Sequence, residues 1–251
     1  MIRSRRWALV LPMIALAVAI TLAAAGHTRR VRAAIIEADP EKILNTPEIA
    51  DDALALGRKG FVAHCASCHR DGAGNPARGV PDLTDQDFLY GSGRVAEIEQ
   101  IVLHGIRSGD PRGWHLASMP AYARARPYAS EPIPPLTPHE IRDVTQYLLR
   151  KHGSETDPAA AERGAQVYGT NGGCWDCHER DGGGDTSIGA PNLLDDIWLY
   201  GDGSTASIQR SIAYGHEGSS PAFARIVSPA DARAIAVYVA ALAKHRTRID
   251  R

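Results

Sequence analysis

The chain has 251 residues and a formal net charge of −1, and only 6% of its residues are aromatic. This length allows one large domain or two small ones. Residues 1–32 hold six of the 28 basic residues and none of the acidic ones, which leaves 22 basic against 29 acidic side chains in the remainder. That acidic remainder argues against nucleic-acid binding and suits a partner with a basic docking face. The low aromatic content leaves small cores short of large apolar groups, which a bulky cofactor would supply.

An uncharged apolar run from Trp7 to Gly26 follows three arginines within the first six residues. About 20 apolar residues are enough to span a bilayer core. A cleaved signal peptide is an alternative, because a basic start, an apolar run and small residues also mark a cleavage region. The length of the run favours an uncleaved anchor over residues 1–32. Residues 33–56 have a mixed character with Pro40 and Pro47 among them, which predicts a linker or a short helical lead-in.

Two Cys-x-x-Cys-His motifs contain all four cysteines of the chain. They are Cys65, Cys68 and His69, and Cys174, Cys177 and His178. This spacing lets two thiols add to the vinyl groups of one porphyrin while the adjacent histidine reaches the iron. A redox dithiol does not require the histidine, and one zinc site with four thiolates would have to join two segments that each look like a complete domain. The motifs therefore predict two covalently bound haem c groups, with His69 and His178 as iron ligands.

The motifs belong to an internal repeat. Residues 81–93 match residues 191–203 at an offset of 110, and residues 138–149 match residues 229–240 with helical spacing of the apolar positions. Each copy predicts a helix, the haem motif, a glycine-rich loop, a helix, a loop and a last helix, with no strand pattern of comparable length. The predicted fold is all-α, with two tandem cytochrome c-like domains after the N-terminal segment. These domains cover residues 57–152 and 164–245, with a linker over residues 153–163.

The repeats differ where a sixth iron ligand is expected. Methionine at this position suits electron transfer, and Met119 is the only methionine outside the N-terminal region. We predict that Met119 ligates the first iron; the alternative is that it fills a gap in the core. The second repeat has Ser220 at the equivalent place, and serine is a poor iron ligand. The second iron would take His216, four residues upstream, or stay open to water or an exogenous ligand.

Residues 37–243 resemble the dihaem subunit of the cbb-type haem–copper oxidases, the FixP/CcoP family. The resemblance rests on both haem motifs, on Ala38-Asp39-Pro40 and on the Asp-Ile-Trp-Leu-Tyr-Gly run that ends at Gly201. It implies a membrane-tethered periplasmic subunit that passes electrons to an oxidase core. It also implies that one haem is held by Cys65, Cys68, His69 and Met119, and the other by Cys174, Cys177 and His178.

This chain departs from the family in two places. Ser220 stands where the family normally has a methionine. The segment from Gly105 to Pro138 is also 19 residues longer than its counterpart in the second repeat. The insertion holds Trp114 and His115, and it is either a docking loop or a tolerated surface insertion.

The sequence predicts an electron-transfer protein rather than an enzyme, since it shows no catalytic triad, phosphate loop or paired-carboxylate site. Its expected partners are redox proteins, among them oxidase core subunits, and the membrane through the N-terminal helix. Its expected location is the bacterial cytoplasmic membrane with the bulk of the chain in the periplasm, or the periplasm after signal cleavage. Two alternatives stay open: a haem sensor or enzyme with an open second haem, and the cytochrome partner of a periplasmic dehydrogenase.

Overall fold

A computed structural model describes residues 3–126 and 133–249, with side chains over 12–126 and 133–244. Its helices of ten or more residues are α1 (Arg3–Glu37), α2 (Pro47–His64), α3 (Val95–His104), α4 (Pro138–Lys151), α5 (Pro158–Gly169), α6 (Thr205–Tyr214) and α7 (Pro229–Ile249). Single helical turns cover the haem motifs at Ala66–His69 and Trp175–His178, and 3-10 turns lie at Pro40–Asn45 and Pro76–Arg78. Within these ranges there are isolated β-bridges but no strand, which confirms the all-α prediction. Three parts of the sequence analysis lie outside the described residues. They are the side chains of Arg3, Arg5 and Arg6, residues 127–132 of the insertion, and the side chain of His245.

The N-terminal helix α1 continues through the whole predicted anchor. Its segment Pro12–Glu37 is long and apolar enough to cross a membrane, a property that it shares with signal sequences. The large apolar side chains from Met13 to Leu22 are all more than half exposed, so this part of the helix lies outside the folded core. The other end of α1 belongs to the core, because Ile35 is fully buried.

The segment over residues 33–56, expected to be a linker, is folded. Its fully buried side chains Ile35, Ile43 and Ala53 pack in one core with α7. The prolines that suggested a linker instead stand at the first position of a helical turn, Pro40 in the 3-10 turn and Pro47 in α2. A missing backbone N–H has no cost there. In the same way, α5 begins inside the predicted linker over residues 153–163.

The last helix of each repeat packs on the other repeat. Helix α7 lies against α2 and α3, in a core formed by Phe61, Val95, Ile98, Ile235, Val237 and Val239. Helix α4 lies against α5 and α6, in a core formed by Ile141, Val144, Leu148, Val167, Tyr168, Ile208 and Ile212. The domains predicted from the sequence follow chain order, whereas each packing unit in the structure takes its last helix from the other repeat.

Glycine allows both helix pairs to cross at short distance. A Cβ atom at Gly57 of α2 would lie 2.0 Å from the carbonyl oxygen of Ala234 in α7. A Cβ atom at Gly164 of α5 would lie equally close, 2.0 Å, to the carbonyl oxygen of Asp143 in α4. No side chain fits at either position, so the backbones can meet only through glycine. The two crossings are therefore built alike, which fits their origin in a repeat.

Buried ion pairs hold the exchanged helices in place. Arg233 of α7 donates to Glu99 of α3 at 2.9 Å, and Glu99 is only 6% exposed. Arg163 of α5 forms two hydrogen bonds of 2.8 Å to the carboxylate of Asp143. Each pair joins a last helix to a helix of the other repeat, and Asp143 also pairs with His139 of its own helix at 3.1 Å. The contact between Arg233 and the buried carboxylate of Glu99 therefore exists only in the exchanged arrangement.

Candidate haem sites

Both Cys-x-x-Cys-His motifs open into one apolar cavity of about 440 Å³. The cavity wall includes every cysteine and histidine of the two motifs: Cys65, Cys68, His69, Cys174, Cys177 and His178. Helices α3, α4, α6 and α7 and the loops that carry Met119 and Ser220 also contribute to the wall. All four cysteines are free thiols, as attachment to vinyl groups requires. Among the described residues, no three His, Cys, Asp or Glu side chains are placed to hold a metal ion by themselves.

The two motif histidines are oriented in the same way by backbone carbonyls. Nδ1 of His69 lies 3.2 Å from the carbonyl oxygen of Pro81, and Nδ1 of His178 lies 2.9 Å from that of Pro191. A carbonyl only accepts, so Nδ1 carries the proton and Nε2 keeps a free lone pair for a metal. Burial lowers the pKa of both imidazoles, which favours this neutral form. The residues present therefore fit an iron porphyrin.

Pro81 and Pro191 have a role that the sequence analysis missed, since it used them only to align the repeats. Each proline begins a repeated segment, and each carbonyl fixes the ring of the motif histidine that precedes it in the chain. The recurrence of proline at this point in both copies was the signal that could have indicated the role.

The motif thiols have the character of attachment points rather than of a redox pair. Burial raises the pKa of Cys65 and of Cys174 to about 11 in each case, and it also raises the pKa of Cys177. A dithiol that exchanges disulfides needs a thiolate at neutral pH, and these thiols stay protonated there. The structure therefore gives no support to the redox-pair alternative.

The two capping loops are exchanged between the repeats, like the last helices. Met119 and His216, which follows α6, exchange two backbone hydrogen bonds of 3.0 Å. Ser220 and Ile106, which follows α3, exchange two backbone hydrogen bonds of 2.9 Å. The Met119 loop therefore lies beside the second motif, and the Ser220 loop lies beside the first.

The segment that follows Met119 is tied to the second motif. The guanidinium of Arg126 lies 4.4 Å from the ring centroid of Tyr122, and it donates at 2.9 Å to the carbonyl of Gly172, two residues before Cys174. Met119 packs on the core cluster that contains Tyr122 and Cys174. The sequence predicted Met119 as a ligand of the first iron, whereas in the structure its side chain packs on the side of the second motif.

The Ser220 loop is tied to the first motif. The ring of Phe223 lies 5.8 Å from the ring of His64, the residue before Cys65. The backbone amide of Phe223 donates at 3.1 Å to the carbonyl of Val102 in α3. Ser220 itself is half-buried and lines the cavity. The first motif therefore faces a serine at the place where the second faces a methionine.

His216, the other predicted sixth ligand, also lies on the second side. Its ring stacks on Tyr200 with centroids 3.6 Å apart and planes 9° apart, and its Nε2 lies 2.9 Å from the hydroxyl of Ser211. Burial lowers the pKa of this imidazole. Both predicted sixth ligands therefore lie beside α6 of the second repeat, because Met119 is hydrogen-bonded to His216 and His216 contacts Ser211.

Arg107 joins the two capping loops, a role that no sequence pattern indicated. Its guanidinium donates to the carbonyl of Ala117, two residues before Met119, and to the carbonyl of Gly218, two residues before Ser220. The third bond, of 3.1 Å, goes to the hydroxyl of Tyr90. One side chain therefore fixes both loops relative to each other.

Helical repeats whose Cys-x-x-Cys-His motifs face an apolar cavity, with each histidine poised to bind iron, define a c-type cytochrome that carries covalently bound haem c. The cytochrome c family model matches residues 54–151. The family model described as cytochrome c oxidase, cbb3-type, subunit III matches residues 159–239.

Curated relatives are similar over most of the chain. FixP of Azorhizobium caulinodans is 38% identical over 200 residues, which are 79% of this chain and 63% of that protein. CcoP of Cereibacter sphaeroides is 32% identical over 83% of this chain and 68% of its own length, and CcoP of Rhodobacter capsulatus is 35% identical over 85% and 70%. The chain belongs to the FixP/CcoP family of cbb3-type oxidase subunits, as its motifs predict, and it spans about two thirds of the length of these relatives.

Proposed function

We propose that this chain is a membrane-anchored dihaem cytochrome c that transfers electrons to the core of a terminal oxidase. The shared cavity is the observation that carries the proposal, because both haem motifs line one apolar space inside one folded unit. Two haems attached there would lie close together, as transfer from one to the other requires. The relatives bear the names of cbb3-type oxidase subunits, which supports an oxidase as the electron acceptor.

The haems would supply the one-electron chemistry, and the protein sets their ligands and surroundings. Cys65 and Cys68 would attach the first haem, and Cys174 and Cys177 the second. The carbonyls behind His69 and His178 hold each imidazole in the tautomer that binds iron. Met119 would cap the second haem, and a methionine ligand raises the reduction potential of its iron.

The anchor would hold the haem unit in a defined orientation at the membrane. Arg32, near the end of α1, forms a forked pair with the carboxylate of Asp231 in α7, with nitrogen–oxygen distances of 3.0 and 3.1 Å. The guanidinium of Arg233 donates to the carbonyl of Ile36 in α1. A helix fixed in this way cannot act as a loose tether. We place the haem unit on the periplasmic side, because bacteria attach haem c outside the cytoplasmic membrane.

Expression of the full chain with c-type cytochrome maturation and the oxidase core subunits tests this function. We expect a mass increase of two porphyrins, recovery of the chain with the membrane and the core subunits, and electron transfer from the reduced protein to the core. A Cys174→Ala/Cys177→Ala chain should gain only one porphyrin. Its rate of electron transfer to the core subunits is compared with that of the parent chain. A mature chain without porphyrin, or one recovered with a periplasmic dehydrogenase and no oxidase subunit, would contradict the proposal.

A further inference from the structure

We infer that the haem held by Cys65, Cys68 and His69 has no sixth ligand from the protein and binds a small neutral diatomic molecule, such as carbon monoxide, when reduced. The inference rests on the proposed function only in that it needs haem attached at the first motif. It assigns the open iron face to the first haem, because the exchanged loops bring the single available methionine to the second.

The two capping residues occupy equivalent positions. Met119 and Ser220 each make a reciprocal pair of backbone hydrogen bonds with the residue two positions beyond the central helix, His216 after α6 and Ile106 after α3. The thioether of methionine is long and soft enough to reach and bind iron. The serine side chain ends two bonds from the backbone in a hydroxyl, which is a poor ligand. The same loop position therefore closes one site and leaves the other open.

The other nitrogen donors on described residues do not supply a ligand to the first side. Besides the motif histidines, the cavity is lined by His64, His152 and His216. His152 packs on Trp198 of the second repeat with ring centroids 5.1 Å apart, and Nε2 of His216 lies 2.9 Å from the hydroxyl of Ser211 in α6. The ring of His64 packs on Phe223 at the edge of the first site. His104 is buried in a 3.1 Å pair with Asp110 and does not line the cavity.

The wall around Ser220 is apolar. Pro221 and Phe223 flank the serine, and Ile101, Val102, Ile235 and Val239 contribute from α3 and α7. Arg107 also lines the cavity, but its guanidinium already donates to the carbonyls of Ala117 and Gly218 and to the hydroxyl of Tyr90. The apolar side chains next to Ser220 offer no partner for a charge, which disfavours a charged ligand. Distal polarity and access decide which small molecules a haem binds, so a neutral π-accepting diatomic molecule is the class that this site would take.

Carbon monoxide titration of the dithionite-reduced holoprotein, followed by visible absorption, tests the inference. Mass measurement first establishes that both haems are attached. We expect one carbon monoxide per chain in the parent, none in Ser220→Met, and two in Met119→Ala. Ile226→Met is the matched control, since it adds a methionine to the same loop at a position that is 64% exposed. It should bind one carbon monoxide, as the parent does.

Two single-haem variants locate the open iron. Cys174→Ala/Cys177→Ala keeps the first haem and should bind carbon monoxide, without the red charge-transfer band of methionine-ligated ferric haem. Cys65→Ala/Cys68→Ala keeps the second haem and should show that band and bind no carbon monoxide. The opposite distribution would overturn the inference, as would a two-haem parent that binds none. In that last case, binding restored by His64→Ala would identify the ligand. If one variant fails to fold, the other still decides, and a parent without porphyrin would contradict the proposed function instead.

Discussion

Ile235→Ala tests whether the last helix of the second repeat supports the first haem. Ile235 is 1% exposed and shares a core with Phe61 and Ile98 of the first repeat. Helix α7 is so close to α2 that a Cβ atom at Gly60 would lie 2.7 Å from Cγ1 of Ile235. The substitution removes three carbon groups, a loss of about 2.4 kcal/mol in transfer free energy, and the cavity left behind brings the cost to about 3–4 kcal/mol.

Urea unfolding of the holoprotein, followed by circular dichroism, measures this cost. The methionine–iron band in the ferric spectrum reports which site is disturbed, because Met119 faces the second motif. We expect Ile235→Ala to keep the band at low urea and Val144→Ala, in the second core, to weaken it. Lys244→Ala, at an exposed position of α7, should change the unfolding free energy by less than about 0.5 kcal/mol. Loss of the band in Ile235→Ala and its retention in Val144→Ala would refute the exchange of last helices.

Three further changes test the contacts that fix the exchange. Arg233→Ala leaves the buried carboxylate of Glu99 without its partner and should cost about 3–5 kcal/mol in urea unfolding, unlike Arg233→Lys, which keeps a charge; a cost below about 1 kcal/mol would contradict the buried pair. Hydrogen bonds from Arg163 hold the pKa of Asp143 below its usual value of 3.8. The ionised carboxylate therefore stabilises the folded state fully above pH 3.8, and this stabilisation is lost as the pH falls through the lower folded-state pKa. Unfolding free energies measured against pH should therefore drop below about pH 4 in the parent more than in Asp143→Asn, and parallel curves would count against the contact. Arg126→Ala leaves the carbonyl of Gly172 without its donor and should cost about 1–3 kcal/mol, with loss of the methionine–iron band at lower urea than in the parent; an unchanged band midpoint would exclude Arg126 as a tether.

The helices and the haem motifs follow from local sequence. Apolar spacing and the prolines at first helical positions set α4 and α7, and Thr137 caps α4 through a reciprocal pair with Glu140. The spacing of the motif cysteines and histidines was enough to predict them as haem attachment sites. The segment over residues 33–56 was expected to be a linker or a short helical lead-in, and the structure shows it as helical, with Pro40 and Pro47 each at the first position of a helical turn.

The exchange of partners could not be predicted from the sequence. The amino-terminal helices of both repeats carry a glycine at the crossing, Gly57 and Gly164, and both last helices offer similar backbone and apolar faces. Either pairing therefore satisfies the same local pattern, and the choice depends on long-range contacts such as that of Arg233 with Glu99. Arg107 is likewise defined by three acceptors far apart in the chain, and no spacing marks it.

The reciprocal packing of α4 and α7 also determines how the protein can come apart. The wall of the first site includes Ile235 and Val239 of α7, so the first haem can be enclosed only after α7 has been synthesised. A cut at Gly153, between α4 and α5, would yield two fragments that each lack a wall of the site they carry. The two fragments would either stay associated or lose the walls of both haem sites together. The chain would not divide into two independent one-haem proteins.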